Sequence, residues 1–428
     1  MGSSRKRLLR LLVPATTVAT AAVAGAVLNP ALPANATSHH HDGGRARSVI
    51  FINGDGMSAA HREAARLHLA GLDGQLAMDT LPVSGQLSTS PHDPKTAITD
   101  SAAAATAWAT GTKTYNGAIS VDVKGKPLPI LGKQAKAAGK STGLVTTAQV
   151  TDASPAAWFS QTADRGAQDE IARQYLEVSK PDVILGGGED WWLPAGTPGA
   201  FPDKPAEDPD EASKGTKGNL IKKAEREGYQ YVSSAKELAR AKRGKLLGLF
   251  SNEEMFQQRP EGQGDIYSPV VDLATMTKKA LDTLSTNKKG FFLFVEEEGI
   301  DEFAHENNGS RVLQAMASLE KAVKVAKAYV AAHPDTLLVI TGDHDCGGLT
   351  VEDPSDTEDE SGTGLSTEDG PFKIHGSNLT FTMDWTTTGH TGVDVPVTAE
   401  GPLSKLFTGK HPNTYVHTVL SKVLTSRH

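Results

Sequence analysis

The chain of 428 residues contains a single cysteine, Cys346. No disulfide can form within it, so stability must come from apolar burial, which a chain of this length supplies. Basic residues are the minority, 43 Lys and Arg against 51 Asp and Glu, for a formal charge of −8. Without a basic stripe, nucleic acid is excluded as a bound partner. Beyond residue 36 no apolar run is long enough to span a membrane. Internal repeats are absent too, which excludes a solenoid.

The one long apolar run lies at 11–28, behind Arg5, Lys6, Arg7 and Arg10. Ala34-Asn35-Ala36 follows as a small-residue cleavage box. Segment 1–36 therefore reads as a secretory signal peptide; Pro14 and the cleavage box disfavour the alternative, a permanent anchor. With no adjacent Arg-Arg pair, the general secretory route is expected, and with it a secreted, extracellular protein. Losing four positive charges with the leader takes the formal charge from −8 to −12. Any anionic ligand must then be drawn by something other than net charge, and bound metal ions are the candidates. Residues 37–47 form a polar, flexible linker whose His39, His40 and His41 bind metal only adventitiously. One large domain follows at 48–428.

Short apolar runs alternate there with helical patterns. Strands are expected at 49–52, 141–147, 183–185, 245–250, 291–295 and 336–340. Helices are expected at stretches such as 130–138, 168–176, 273–284 and 311–332. This predicts an α/β fold, a mostly parallel central sheet with helices on both faces. Two stretches read as surface insertions: 189–237, rich in Pro, Gly and charge and carrying Trp191 and Trp192, and the acidic 352–370. The second lacks the ordered spacing of a calcium loop and reads as solvated.

In open α/β sheets ligands bind beyond the carboxyl ends of the strands. The run 49–52 leads to Asp55 between two glycines. The run 141–147 leads to Asp152, Ser154 and then Arg165. The run 291–295 leads to Glu296, with Asp301 and His305 one helical turn apart, and 336–340 leads to Asp343-His344. Each signal alone is weak, since an Asp between glycines is commonly a turn residue. Together they bring five carboxylates, two histidines, a serine and an arginine to one sheet edge. So many charges demand compensating cations. Mixed His/Asp ligation with an open position suits catalytic zinc, and all-oxygen ligation suits magnesium. Asp100-Ser101 precedes the alanine run 102–105, a strong helix former, so Ser101 sits at a helix N-terminus. It is either an ordinary cap or a nucleophile aimed at an anion. Cys346, two residues past His344, is either a packed thiol or a ligand.

Six motifs in combination resemble the alkaline phosphatase family over nearly the whole chain from Ser48 onward. They are N-G-D-G-M at 53–57, T-D-S-A-A-A-A-T-A-W at 99–108, T-D-A-S-P-A-A at 151–157, V-E-E-E-G-I-D-E-F-A-H at 295–305, T-G-D-H at 341–344 and G-H-T-G at 389–392. The resemblance implies that Ser101 is a nucleophile that becomes phosphorylated and that Arg165 clamps the phosphoryl group through its planar fork. It implies two zinc ions, one on Asp301, His305 and His390, the other on Asp55, Asp343 and His344. It also implies one magnesium, held by Ser154 and Glu296 and bridged by Asp55, with Asp152 beside it. His390 is assigned by the resemblance alone. The implied activity is hydrolysis of small phosphate monoesters to inorganic phosphate, with little selection of the alcohol, by a monomer or homodimer.

Three departures stand out. Ser154 occupies a position where some relatives carry Thr, which keeps a hydroxyl ligand. Glu302 follows Asp301 where well-known members carry Lys or His, which implies weaker phosphate binding and easier release. Disulfides of some secreted members cannot form. Competing readings are a diesterase or another superfamily hydrolase, and a secreted phosphate-binding protein. The D-S-A-A run and Arg165 favour monoesters over diesters, and binding alone needs no metal-activated nucleophile.

Overall fold

Val49, Ile50, Phe51 and Ile52 are all fully buried at the centre of a sheet. A parallel strand paired on both sides has both faces covered, so its sequence need not alternate. The pleat still sorts its side chains. Val49 and Phe51 join one core with Phe292, Phe294, Leu337 and Val339; Ile50 and Ile52 join the other with Leu293, Val295, Leu338 and Ile340. One apolar run thus seeds two cores on opposite faces.

The computed structural model describes residues 46–202, 212–354 and 367–426. The leader 1–36, most of the linker, and parts of both expected insertions (203–211 and 355–366) lie outside the described residues. In chain order the first strands are β1 (Ser48–Gly54), β2 (Val83–Ser88), β3 (Ser141–Gln149), β4 (Val183–Gly187), β5 (Gln230–Val232), β6 (Leu246–Leu249), β7 (Phe291–Glu297) and β8 (Thr336–Thr341). Then come β9 (Asp345–Cys346), β10 (Leu349–Glu352), β11 (Thr367–Lys373), β12 (Thr380–Trp385), β13 (His390–Thr391), β14 (Val395–Glu400) and β15 (Gly409–Pro412). Ten form one sheet in the order β15-β2-β14-β8-β1-β7-β3-β4-β6-β5. Only β14 runs antiparallel to its neighbours, β2 and β8. The fold is α/β, a mostly parallel central sheet flanked by helices.

The six expected strands are β1, β3, β4, β6, β7 and β8. The strands not foreseen, β2, β14, β15 and β5, lie toward the two edges. There β2 reads V-S-G-Q-L-S, with only Val83 and Leu87 buried, so little in its sequence marks a strand. The stretch 189–237 supplies β5, paired to β6 at one edge, and buries Trp192 completely. Helix Gly309–Ala332 starts two residues earlier than its apolar pattern, because Asn308 Oδ1 accepts a bond from the Arg311 amide at 3.1 Å and caps it. Among the described residues no helix is long and apolar enough to cross a membrane.

Two further helices position the site. Ser101–Thr110 is buried along its whole length and packs against Ala153–Phe159. Each carries a tryptophan down to the sheet. Trp108 meets Phe51 edge-on at 5.0 Å, and Trp158 lies 4.9 Å from Phe292. Such aromatic pairs add about 1 kcal/mol each beyond area burial, and they seat both helices on the sheet, with Ser101 and Ser154 at the opposite, N-terminal ends.

Candidate active site

The central strands end in acids. β1 runs into Asp55, β7 into Glu296 and β8 into Asp343 and His344. Register sets Asn53 opposite both Glu296 and Thr341, so these ends lie side by side. The turn after β1 needs Gly56. Its φ is +66°, and a Cβ there would sit 2.6 Å from Asp301 Oδ1, so no side chain fits. The Gly56 amide instead donates to Asp343 Oδ1 at 3.0 Å.

Three donor sets result. In the first, Asp301 and His305 share one face of helix Gly299–His305, with Asp301 Oδ2 3.1 Å from His305 Nε2. His390 arrives on β13, paired to β9, which carries Cys346. His390 Nε2 lies 3.5 Å from Asp301 Oδ1 and 3.2 Å from His305 Nε2. Both rings are oriented from behind. His305 Nδ1 donates to the Thr388 carbonyl at 2.6 Å and His390 Nδ1 to the Thr99 carbonyl at 2.9 Å. In the neutral rings both Nε2 lone pairs then converge, an arrangement a cation resolves. The Cys346 thiol lies within 4.8 Å of the same ligand atoms, so it is buried and also borders this set.

The second set is Asp55, Asp343 and His344, whose ligand atoms lie within 4.8 Å of one another. His344 Nε2 is 3.0 Å from Asp343 Oδ2 and 3.6 Å from Asp55 Oδ1. The third set is oxygen only. Ser154 Oγ donates to Asp55 Oδ2 at 3.3 Å, and Asn53 Nδ2 donates to Glu296 Oε1 at 3.1 Å. Thr146 Oγ1 donates to Glu296 Oε2 at 2.7 Å.

These groups fit metal ions. Asp55 Oδ1, Asp301 Oδ1, Asp343 Oδ2 and His344 Nδ1 are buried and make no hydrogen bond, which is costly unless cations complete them. Burial, then the charges of Asp343, Asp301 and Glu296, push the Asp55 carboxyl well above its usual range. Burial likewise pushes Glu296 up to about 8. Asp301 differs: burial works against ionisation, yet the His305, His390 and His344 rings around it hold its carboxyl well below the usual range. Two sets mix nitrogen and oxygen, the pattern of zinc, and the third is all oxygen, the pattern of magnesium.

Ser101 reaches His344 of the second set, whose ring stacks on His390 of the first at 3.5 Å. The cap of its helix is Asp100, whose Oδ1 accepts from the Ala103 amide at 2.9 Å. Ser101 is therefore released from capping and occupies the first helical position, with Oγ 3.2 Å from His344 Nε2. Asp100 Oδ2 also accepts from the Gly117 amide at 2.8 Å, while the Arg165 amide donates to the Gly117 carbonyl at 2.8 Å. One acid thus ties the serine helix to the loop that carries Arg165. The guanidinium is held by Asp152, with Nη2 3.0 and 3.1 Å from its two oxygens, and by Asp100 at 3.5 Å.

Every residue singled out from the sequence, from Asp55 to His390, falls in this one cluster. Sequence reasoning missed Asn53, Thr146, Glu254 and Glu298. Asn53 and Thr146 orient Glu296. Glu298 had a usable signal, since three consecutive glutamates after a buried central strand cannot all reach water. Glu254 had none, because it arrives on a loop far away in sequence.

A family model described as alkaline phosphatase matches residues 46–426. Streptomycin-6-phosphate phosphatase of Streptomyces griseus is 34% identical, over 94% of this chain and 97% of its own. Alkaline phosphatase 4 of Bacillus subtilis is 32% identical over 96% of each chain. The crystal structure of a cold-active alkaline phosphatase from a psychrophilic Shewanella superposes with a TM-score of 0.71 at 31% identity, over 88% of this chain and 99% of that one.

Proposed function

The chain belongs to the alkaline phosphatase family and is a metal-dependent phosphate-monoester hydrolase, and on that premise we propose a two-zinc, one-magnesium enzyme that works through phosphorylated Ser101. Asp301, His305 and His390 would hold one zinc, and Asp55, Asp343 and His344 the other. Ser154, Glu296 and the bridging Asp55 would hold magnesium, with Asp152 beside it. When bound, these cations screen the phosphoryl charge and lower the pKa of the serine hydroxyl and of water.

The protein's own groups do the rest. The N-terminus of helix Ser101–Thr110 favours an anion at Ser101. Arg165, already aimed by Asp152 and Asp100, turns its fork onto two phosphoryl oxygens. Ser101 Oγ attacks phosphorus in line, the P–O bond to the alcohol breaks, and the alcohol leaves with a proton. Water then attacks the phosphoserine from the vacated side, breaking the Oγ–P bond and releasing inorganic phosphate. The observation that carries this reading is Ser101, freed from capping and 3.2 Å from His344 of one metal-type ligand set, whose ring stacks on His390 of the other. A relative named for streptomycin 6-phosphate, itself a phosphate monoester, supports monoesters as substrates here.

The basic, apolar and small-residue segments of 1–36 support secretion, after which a free monomer or homodimer would act on small phosphate monoesters. The test is hydrolysis of p-nitrophenyl phosphate by the chelated protein, then with zinc and magnesium restored, beside the diester bis-p-nitrophenyl phosphate. We expect metal-restored monoesterase activity, phosphoserine at Ser101 after acid quench, and neither in Ser101→Ala. Hydrolysis of the diester alone, or full activity in Ser101→Ala, would overturn the proposal.

A further inference from the structure

A second group of acids stands beside the metal-type ligands, and only Asp152 among them has a part in the chemistry above, through Arg165. Asp152, Glu254, Glu298 and Glu302 come from separate stretches of chain and are gathered by the end of β3. The Glu298 amide donates to Thr147 Oγ1 at 3.0 Å, and the Met255 amide donates to the Thr147 carbonyl at 2.9 Å, which brings Glu254 alongside. Gln149 Nε2 donates to Glu254 Oε1 at 2.6 Å, and the Asp152 amide donates to the Gln149 carbonyl at 3.0 Å. Glu302 lies one helical turn beyond Glu298, its amide 3.3 Å from the Glu298 carbonyl.

These acids are under-partnered. Glu298 is 5% exposed, and its Oε2 accepts no hydrogen bond. Its backbone is held among the others through Thr147 and the first turn of its helix. Among the described residues the cation bonded to the group is Arg165, on Asp152, and Arg165 is the residue that must turn toward a phosphoryl group. The Trp191 indole adjoins the same patch, donating to Gln149 Oε1 at 2.7 Å. Its ring already receives a cation, with Lys214 Nζ 5.5 Å from the centroid.

Resting on the phosphomonoesterase reading, we propose that this acidic rim selects phosphate monoesters whose alcohol carries a positive charge: an ammonium, guanidinium or quaternary ammonium group. The phosphoryl group is gripped by Arg165 and the metal-type ligands. Glu302 directly follows Asp301 in sequence, and half-buried Glu254 and Glu302 stand at the rim, so the alcohol portion emerges beside them. A cation there meets acids that outnumber the one bonded cation, with Glu298 Oε2 accepting no hydrogen bond, and a cleft lined by one sign of charge concentrates the opposite sign. An anionic alcohol meets repulsion in the same place.

The test compares kcat/KM for phosphocholine with that for its neutral isostere 3,3-dimethylbutyl phosphate, using the full metal-loaded protein. We expect a preference for phosphocholine of about ten-fold at low ionic strength, reduced by high salt. Glu302→Gln and Glu254→Gln should each shrink that ratio, while the ratio divides out any general change in turnover. Equal values for the two esters in the unaltered protein, or a preference that survives both variants, would overturn the inference while leaving the monoesterase reading intact. Failure to hydrolyse either ester, with p-nitrophenyl phosphate also untouched, would overturn both.

Discussion

Removing the carboxylate of Asp100 should weaken fold and catalysis together. In Asp100→Ala the helix Ser101–Thr110 loses its cap at the Ala103 amide, the Gly117 amide loses its 2.8 Å acceptor, and Arg165 loses one of two acidic partners. The cap is worth about 1 kcal/mol. Leaving the Gly117 amide without a partner costs about 1–3 kcal/mol. The ion pair is about a third exposed on the arginine side, so screening holds its share below about 1 kcal/mol. The total is about 2–4 kcal/mol, which for a chain of this size lowers Tm by about 2–5 °C. Ser101 and Arg165 both lose registration, and a displacement of about 1 Å at a reacting group costs about 100-fold in rate. Asp100→Asn keeps the cap but gives up one of the two acceptor oxygens, so its Tm should fall less while kcat still drops. Scanning calorimetry and steady-state kinetics on p-nitrophenyl phosphate read both quantities. An Asp100→Ala protein with unchanged Tm and kcat within two-fold of the parent would refute the reasoning.

Other outcomes follow from the same geometry. Chelation should lower Tm and metal should restore it, since an ion present at about 1,000 times its Kd contributes about 4 kcal/mol per site; a Tm indifferent to chelator would mean the unpartnered carboxylates hold no ions. Burial pushes the Glu297 carboxyl up to about 7, so in the metal-stripped protein its folded-state pKa exceeds its unfolded value near 4.5. The folded state then holds a proton the unfolded chain has released, and stability falls by about 3 kcal/mol as pH rises from about 4.5 to 7. Glu297→Gln should flatten that part of the pH–Tm curve, and an identical curve would count against it. Glu302→Lys exchanges a negative for a positive charge next to Asp301 and should tighten product inhibition by phosphate about ten-fold; an unchanged inhibition constant would remove Glu302 from any role in phosphate release.

The central strands and most of the candidate site are legible in the order of residues. A buried parallel strand has no solvent face, so 49–52, 291–295 and 336–340 stand out as unbroken apolar runs, and the acids behind them mark the edge where ligands bind. The outer strands β2 and β15 were not readable, because near the sheet edge they need few apolar residues: β2 buries only Val83 and Leu87, and β15 none. His390 carried no local signal, and only the pairing of β13 with β9 brings it to Asp301. For Ser101 the residues alone left cap and nucleophile open, and the resemblance implied a nucleophile; in the fold the Asp100 side chain takes the capping bond and leaves the Ser101 hydroxyl free of it.

By itself, then, the order of residues determined the fold class, the strand ends and the kinds of ligand they carry, because these depend on hydrophobic runs and on the residues next to them in the chain. Tertiary structure alone decided how His305 and His390 are oriented through Thr388 and Thr99, and that Glu254 and Glu298 meet Asp152 and Glu302. Those relations hold between residues up to about 290 positions apart, and no local pattern encodes a distance that only the folded sheet creates.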